Sequence, residues 1–194
     1  LPAVFGRTVP VDRLPDEAAL RLFREGWAGP PNQLPADAAE LGNFVLGELG
    51  AHPLSIVLCA RLGDWCSYDE LLRRWQVLGT VAVQDAQHPQ HRLGSLEASL
   101  NLTAQALQQR DPNSLCLWVA TALFHGELDD ETLQAVEQRG GWTGTRQWLV
   151  RHHVLVRHAA GHWAMLPPVA RHAVDAALQG QAGFAWPAAR QPLL

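Results

Sequence analysis

The residues best placed to do chemistry are Gly50-Ala51-His52-Pro53-Leu54. A helical apolar pattern from Asp37 to Leu49 stops there, and a second, Leu54 to Leu62, begins. Gly50 suits the stop, because without a Cβ it takes the left-handed conformation freely. Pro53 suits the start, because its missing N–H is not needed in the first turn and its φ is already helical. Two helices therefore abut across a rigid corner. His52 and Pro53 sit beside the free N–H groups and positive dipole end of the second helix. Such a corner reads two ways: as a plain junction with a solvated histidine, or as a ligand contact.

Other chemistries lack their residues. Nucleotide hydrolysis needs a glycine-rich phosphate cradle with a Lys and a metal-binding Ser or Thr. The chain has no Gly-x4-Gly-Lys-Ser/Thr, no Lys at all and no Walker B acidic strand. No Gly-x-Ser-x-Gly elbow is present, so acyl-transfer catalysis has no support. Three cysteines, Cys59, Cys66 and Cys116, are too few and too irregular for a disulfide framework. Cys59 and Cys116 lie in apolar helical patterns and read as small core residues. No Cys/His spacing matches a zinc site, and the adjacent His152 and His153 would not share a helix face. The acidic run Glu127, Asp129, Asp130, Glu131 reads as a turn with a helix cap rather than a metal site. No catalytic residue and no metal ligand is expected.

The elements that must hold the corner follow from composition and period. A chain of 194 residues, 47% hydrophobic, can bury a real core in one large or two small domains. No run approaches the ~18 apolar residues of a membrane span, and the start carries no signal pattern, so a cytoplasmic protein is expected. Charge is uneven. Residues 1–141 hold 10 Arg and 18 acids, whereas 142–174 hold Arg146, Arg151, Arg157 and Arg171 with no acid and five His. The last third thus offers a modest basic surface and the rest repels polyanions.

Thr8 to Leu14 alternates like a short extended lead-in. Asp16 is expected to cap a helix with Leu20, Phe23 and Trp27 on one stripe. Gly29-Pro30-Pro31-Asn32 is a loop, and residues 36–49 form a second helix in which Gly42 and Gly47 each cost roughly 1 kcal/mol relative to Ala. Leu54 to Arg61 is almost wholly apolar and reads as a buried helix. Ser67 caps Tyr68 to Trp75. Residues 1–78 thus read as a bundle of four helices. Residues 79–94 are polar without period and read as a linker. Ser95 then caps a helix. Further helices follow at Ser114–Phe124, Glu131–Gln138, and from Thr143 or Thr145. His153–Arg157 and His162–Met165 flank Ala159-Ala160-Gly161 as a hairpin, and Pro167-Pro168 opens a last helix through Leu178. Helices followed by a hairpin are the order of a winged helix, so 95–178 reads as a winged-helix domain and 179–194 as a loose tail. The expected fold is mainly α: a four-helix bundle followed by a winged-helix domain with a short β-hairpin.

The corner resembles the Gly-x-Pro-Leu motif of the STAND nucleotide-binding switches, the NB-ARC (AP-ATPase) family. Leu14, Ala19, Leu22 and Phe23 resemble that family's passage into its first helical subdomain, and Ser95-Leu96 with Ser99-Leu100 its second opening. Cys116–Leu128, Thr145–Val156 and Trp163–Pro167 follow in the family's order, the last in place of its Met-His-Asp segment. The resemblance covers nearly the whole chain. It implies the helical (ARC1-like) and winged-helix (ARC2-like) domains downstream of a P-loop core that is not in this sequence. It implies ADP or ATP as the intact protein's ligand, with no tight binding to this piece alone and no hydrolysis by it. The partners implied are the chain's own upstream P-loop domain and, in the active state, further copies of itself, working in bacterial signal transduction or transcription regulation. Pro53 would meet the adenine, with His52 beside it. The histidine of the Met-His-Asp segment would touch the β-phosphate of ADP. Here Leu166 stands at that position and cannot donate a hydrogen bond. His162, Arg171 and His172 are the nearby groups able to take its place; the alternative is that Leu166 is a core residue at a strand end and these three are solvated. Residues 79–94 would be the hinge.

A rival from another class is a winged-helix DNA-binding transcriptional regulator, with Thr145–His153 as the reading helix and Arg146, Arg151 and Arg157 on phosphates. Against it, Trp148, Leu149 and Val150 interrupt that helix, and the first 141 residues are acidic. A scaffold without any nucleotide contact is the third reading.

Overall fold

Pro15 sets an extended N-cap for the first helix, α1 (Asp16–Gly26). Asp16 is therefore the first helical residue and not the cap; it pairs with Arg13 instead. The computed structural model describes residues 13–84, 91–124, 127–158, 161–181 and 184, with backbone alone at 79–84 and 91–93. The extended lead-in expected before Arg13 and the expected tail beyond Phe184 lie outside the described residues.

Asp37 caps α2 (Ala38–Gly42) through Ala39 N–H at 2.8 Å. The chain then continues as a π-helical turn, Asn43–Glu48. After the corner comes α3 (Pro53–Arg61), extended by a 3-10 turn, Leu62–Asp64. Next are α4 (Tyr68–Gln84) and α5 (His91–Arg110). Ser67 Oγ accepts from Glu70 N–H at 3.4 Å, as expected of a cap.

The segment 79–94 needs correction. It is helical at 79–84 and 91–94, while 85–90 lie outside the described residues. Val77, Val81 and Val83 lower helix propensity, which is why α4 looked finished at Trp75. Tertiary packing overrides that weak preference, because α4 lies along α5. Ser95 is likewise not a cap but a buried residue inside α5.

The last part holds α6 (Asn113–Ala122), α7 (Asp130–Gly140), α8 (Arg146–Arg151), strands β1 (Val156–Arg157) and β2 (Trp163–Ala164), and α9 (Pro167–Leu178). Asp129 caps α7 through Thr132 N–H at 2.6 Å, and Gly141 ends it at φ 71°. The strands pair antiparallel, Val156 with Ala164 and Arg157 with Trp163. Leu128 adds a bridge to Trp163, exchanging both backbone bonds at 2.7 and 2.8 Å. The fold of the described residues is mainly helical with this small two-stranded sheet. No helix among them is long and apolar enough to cross a membrane.

Two apolar clusters organise these elements. One centres on edge-to-face rings, Phe44 against Phe23, Tyr68 and Trp75, with Leu41, Ile56 and Leu71 around them. The other surrounds Trp118, with Leu115, Leu149, Trp163, Val169 and Phe184. Helix α5 belongs to both: Ala98, Leu102 and Ala106 join the first, and Leu96, Leu100, Ala104 and Leu107 the second. Leu58 of α3 also joins the second. Phe184, read from sequence as part of a loose tail, is buried against Trp118.

Candidate functional site

The corner is built by an unusual run of backbone. Leu49 N–H reaches back to Phe44 O at 2.9 Å, the wide turn of a π-helix, and Ala51 N–H reaches Val45 O at 3.0 Å. Such single π turns are frequent at functional sites. Gly50 and Ala51 are both left-handed, at φ 61° and 52°. Gly50 takes that conformation freely. Ala51, fully buried, carries a Cβ penalty of about 1–2 kcal/mol. The corner is pinned on two sides, because Leu14 N–H donates to Ala51 O at 3.1 Å and Ser95 Oγ donates to Leu49 O at 3.4 Å.

His52 then turns extended and caps α3 with its ring. Nδ1 accepts from Ser55 N–H at 3.3 Å and lies 3.2 Å from Ser55 Oγ. A ring that accepts at Nδ1 carries its proton on Nε2 when neutral. Pro53 follows as the first helical residue. Gly50, His52, Pro53 and Leu54 are each half-buried around the fully buried Ala51. Leu54 leans on the Trp118 cluster. His52 and Pro53 thus meet at the N-terminus of α3, where the His52 ring already takes the Ser55 N–H.

The other expected ligand residues lie in separate local settings. His162 belongs to the hairpin, beside the Asp129 carboxylate at the start of α7. That carboxyl is held below its ordinary range chiefly by Thr132, with His162 adding to the effect. Arg171, 83% exposed along its side chain, pairs with Asp175 one turn on at 3.3 Å. Leu166 is the N-cap of α9 and 47% exposed, not a core residue. His172 packs between Trp118 and Phe184, at 5.7 and 5.8 Å between ring centres.

Within the acidic run, Asp129 caps α7 and Asp130 joins three neighbours. Asp130 accepts from Trp163 Nε1 at 2.6 Å, Arg157 Nη2 at 2.9 Å and Arg146 Nη1 at 3.4 Å, tying α7 to α8 and the hairpin. Among the described residues no three His, Cys, Asp or Glu side chains come together as a metal site. The arginines a DNA reader would need are all engaged. Arg146 and Arg157 share Asp130, Arg146 also pairs with Glu137, and Arg151 pairs with Asp64. Cys59 is fully buried with its thiol pushed up to about 12 by burial, which removes it as a nucleophile. An open groove of about 260 Å3 between α4 and α5 is lined by Glu70, Arg73, Arg74, Val77, Leu78 and Gln105, none of them an expected site residue.

The sequence reading missed a second constellation. The Leu62–Asp64 turn meets the end of α8, where Asp64 faces Arg151 Nε at 2.5 Å and His152 Nε2 at 3.8 Å. Arg61 Nε donates to His153 Nε2 at 2.8 Å, and Arg110 Nη2 donates to Asp64 O. These residues come from three distant stretches, so spacing could not unite them. The only signal was the adjacent His152-His153 pair, which is split because His153 takes a left-handed φ of 55°.

Compared with known protein families, curated proteins and solved structures, the chain matches none.

Proposed function

We propose that the chain is the regulatory region of a STAND-type nucleotide-dependent switch. On this reading α1 to α4 are the helical bundle and α5 to α9 with the hairpin the winged-helix domain. The half-open corner at Gly50–Leu54 is the single observation that supports it most. Pro53 would take the adenine, and His52, fixed by Ser55, would stand next to it. The intact protein would bind ADP in a closed state and ATP in an open, self-associating one. A ligand can bias two states only by its differential affinity for them. Leu166 offers no hydrogen bond to an ADP phosphate, and neither Arg171 nor His172 is poised to replace it. The closed state would therefore hang on the corner and on the upstream core.

The test is ADP retention by the intact protein. Pro53→Ala should weaken it roughly tenfold, the effect of losing about 1.4 kcal/mol of contact. Unchanged retention would sink the assignment. The DNA-reader alternative is weakened by the intramolecular pairing of its three arginines. A filter-binding titration with duplex DNA at low salt decides it, because tight binding that falls steeply with salt would replace the switch with the reader.

A further inference from the structure

His152 is 1% exposed, and neither ring nitrogen has a hydrogen-bond partner. Asp64 is nearly as deep, its side chain 6% exposed, and neither carboxylate oxygen receives a hydrogen bond of ordinary geometry. Buried polar groups left in this condition are rare in folded proteins and call for a reason. Their surroundings are lopsided. One carboxylate faces the guanidinium of Arg151, while Arg110 leans on the Asp64 backbone and Arg61 on His153. Arg110 and Arg151 both lie over the Trp148 ring, at 5.9 and 5.8 Å from its centre. Three permanent cations thus gather around one anion, with two imidazoles between them.

We propose that this cluster is an acid-released clasp between the turn after α3 and the end of α8, with His152 as its trigger. With His152 neutral, the clasp is closed: Arg151 holds Asp64, and Arg61 holds the left-handed His153. A proton on His152 would add a fourth cation where one carboxylate is already matched by Arg151. The gain from Asp64 Oδ1 at 3.8 Å is opposed by Arg151, Arg110 and His153, and by the loss of water around a buried ring. The charged ring leaves for solvent instead. Its neighbours Arg151 and His153 leave with it, so one proton undoes both ties. Burial, the largest influence, and the arginines hold His152 below its ordinary value of 6.5 against the pull of Asp64. Release therefore falls on the acid side of that value. The inference does not depend on any nucleotide.

The test is residue-resolved amide exchange on the full chain, corrected for intrinsic rates, between about pH 7 and about pH 5. Protection at 62–66 and 149–155 should fall roughly tenfold for each pKa unit that separates His152 from its ordinary value, while α1 and α6 stay protected. His152→Gln should flatten that response. Asp64→Asn should loosen both segments already at neutral pH. Equal loss across α1, α6 and both segments, or a response that survives His152→Gln, would overturn the clasp. Should either variant fail to fold, the wild-type ring proton of His152 decides: its titration must coincide with the exchange midpoint, and a mismatch overturns the proposal.

Discussion

Replacing His172 with phenylalanine should make the protein more resistant to acid. The ring packs on α9 between Trp118 and Phe184, with Nε2 buried and unpartnered. Burial drives its pKa from 6.5 to about 4, and Asp175 one turn away offsets only part of this. The folded value is below the unfolded one. As pH falls below 6.5, the unfolded chain takes up a proton that the native state refuses, so stability drains until about pH 4 and then levels. Each pH unit inside that window costs about 1.4 kcal/mol, so the native state is about 2 kcal/mol weaker at pH 5 than at pH 7 on this account alone. His152 and His153 are also held low, first of all by burial, and act in the same direction. They are common to both proteins and cancel in the comparison. Phe fits the same aromatic slot without titrating, so at neutral pH the variant should lie within about 1.5 kcal/mol of wild type. Urea unfolding at a series of pH values measures the difference. The His172→Phe advantage should widen by about 2 kcal/mol from pH 7 to pH 5. Parallel profiles, or a His172 ring proton that titrates near its ordinary value, would refute the reasoning.

Two further perturbations address packing. Gly63→Ala would place a Cβ 2.6 Å from the Gly29 backbone nitrogen and 2.7 Å from the Trp27 ring. Backbone cannot yield there, so a loss of about 1–3 kcal/mol is expected in urea unfolding, and unchanged stability would contradict the close crossing of the two loops. Glu137→Ala removes a buried carboxylate that accepts from Arg146 N–H and pairs with Arg146 Nε, both at 3.2 Å. About 2–3 kcal/mol should be lost, seen as a melting point lower by about 5–10 °C. Glu137→Gln, which keeps the acceptor for the first turn of α8, should lose less, and equal losses would show that the acceptor does not matter.

What could be read in advance was what local rules decide. Gly50 before Pro53 and Pro167-Pro168 before α9 each set a boundary with one or two residues, and both boundaries are where the sequence put them; for α7 the sequence left Asp129 and Asp130 open as caps with the helix from Glu131, and Asp129 takes the role with the helix from Asp130. The hairpin followed from two short alternating runs around Gly161. What could not be read depended on distant partners. Ala51 takes a left-handed φ that only a buried, over-determined corner sustains. His172 and Leu166 exchanged places relative to expectation, one going into the core and the other to the surface. Which of two apolar-flanked positions turns inward is set by the helix they pack on, here α6. Asp64, Arg110 and His152 meet because α3, α5 and α8 end near one another, and no short-range pattern encodes that.

Helix α5 explains the largest misreading and ties the two candidate sites together. It is buried on two sides, so it lacks the polar stripe that marks an ordinary surface helix. Its polar residues survive inside because their hydroxyls bond the preceding turn: Ser99 Oγ to Ser95 O at 2.7 Å and Thr103 Oγ1 to Ser99 O at 2.8 Å. Ser95 near its start holds the corner through Leu49 O, and Arg110 at its end holds the clasp through Asp64 O. Those two residues stand about 22 Å apart along one helix, at 1.5 Å per residue. A close-packed rod does not bend to absorb a displacement at one end. Release at Asp64 would therefore reach the corner as a shift of α5 against the first cluster. Ala98, Leu102 and Ala106 are where that shift would register.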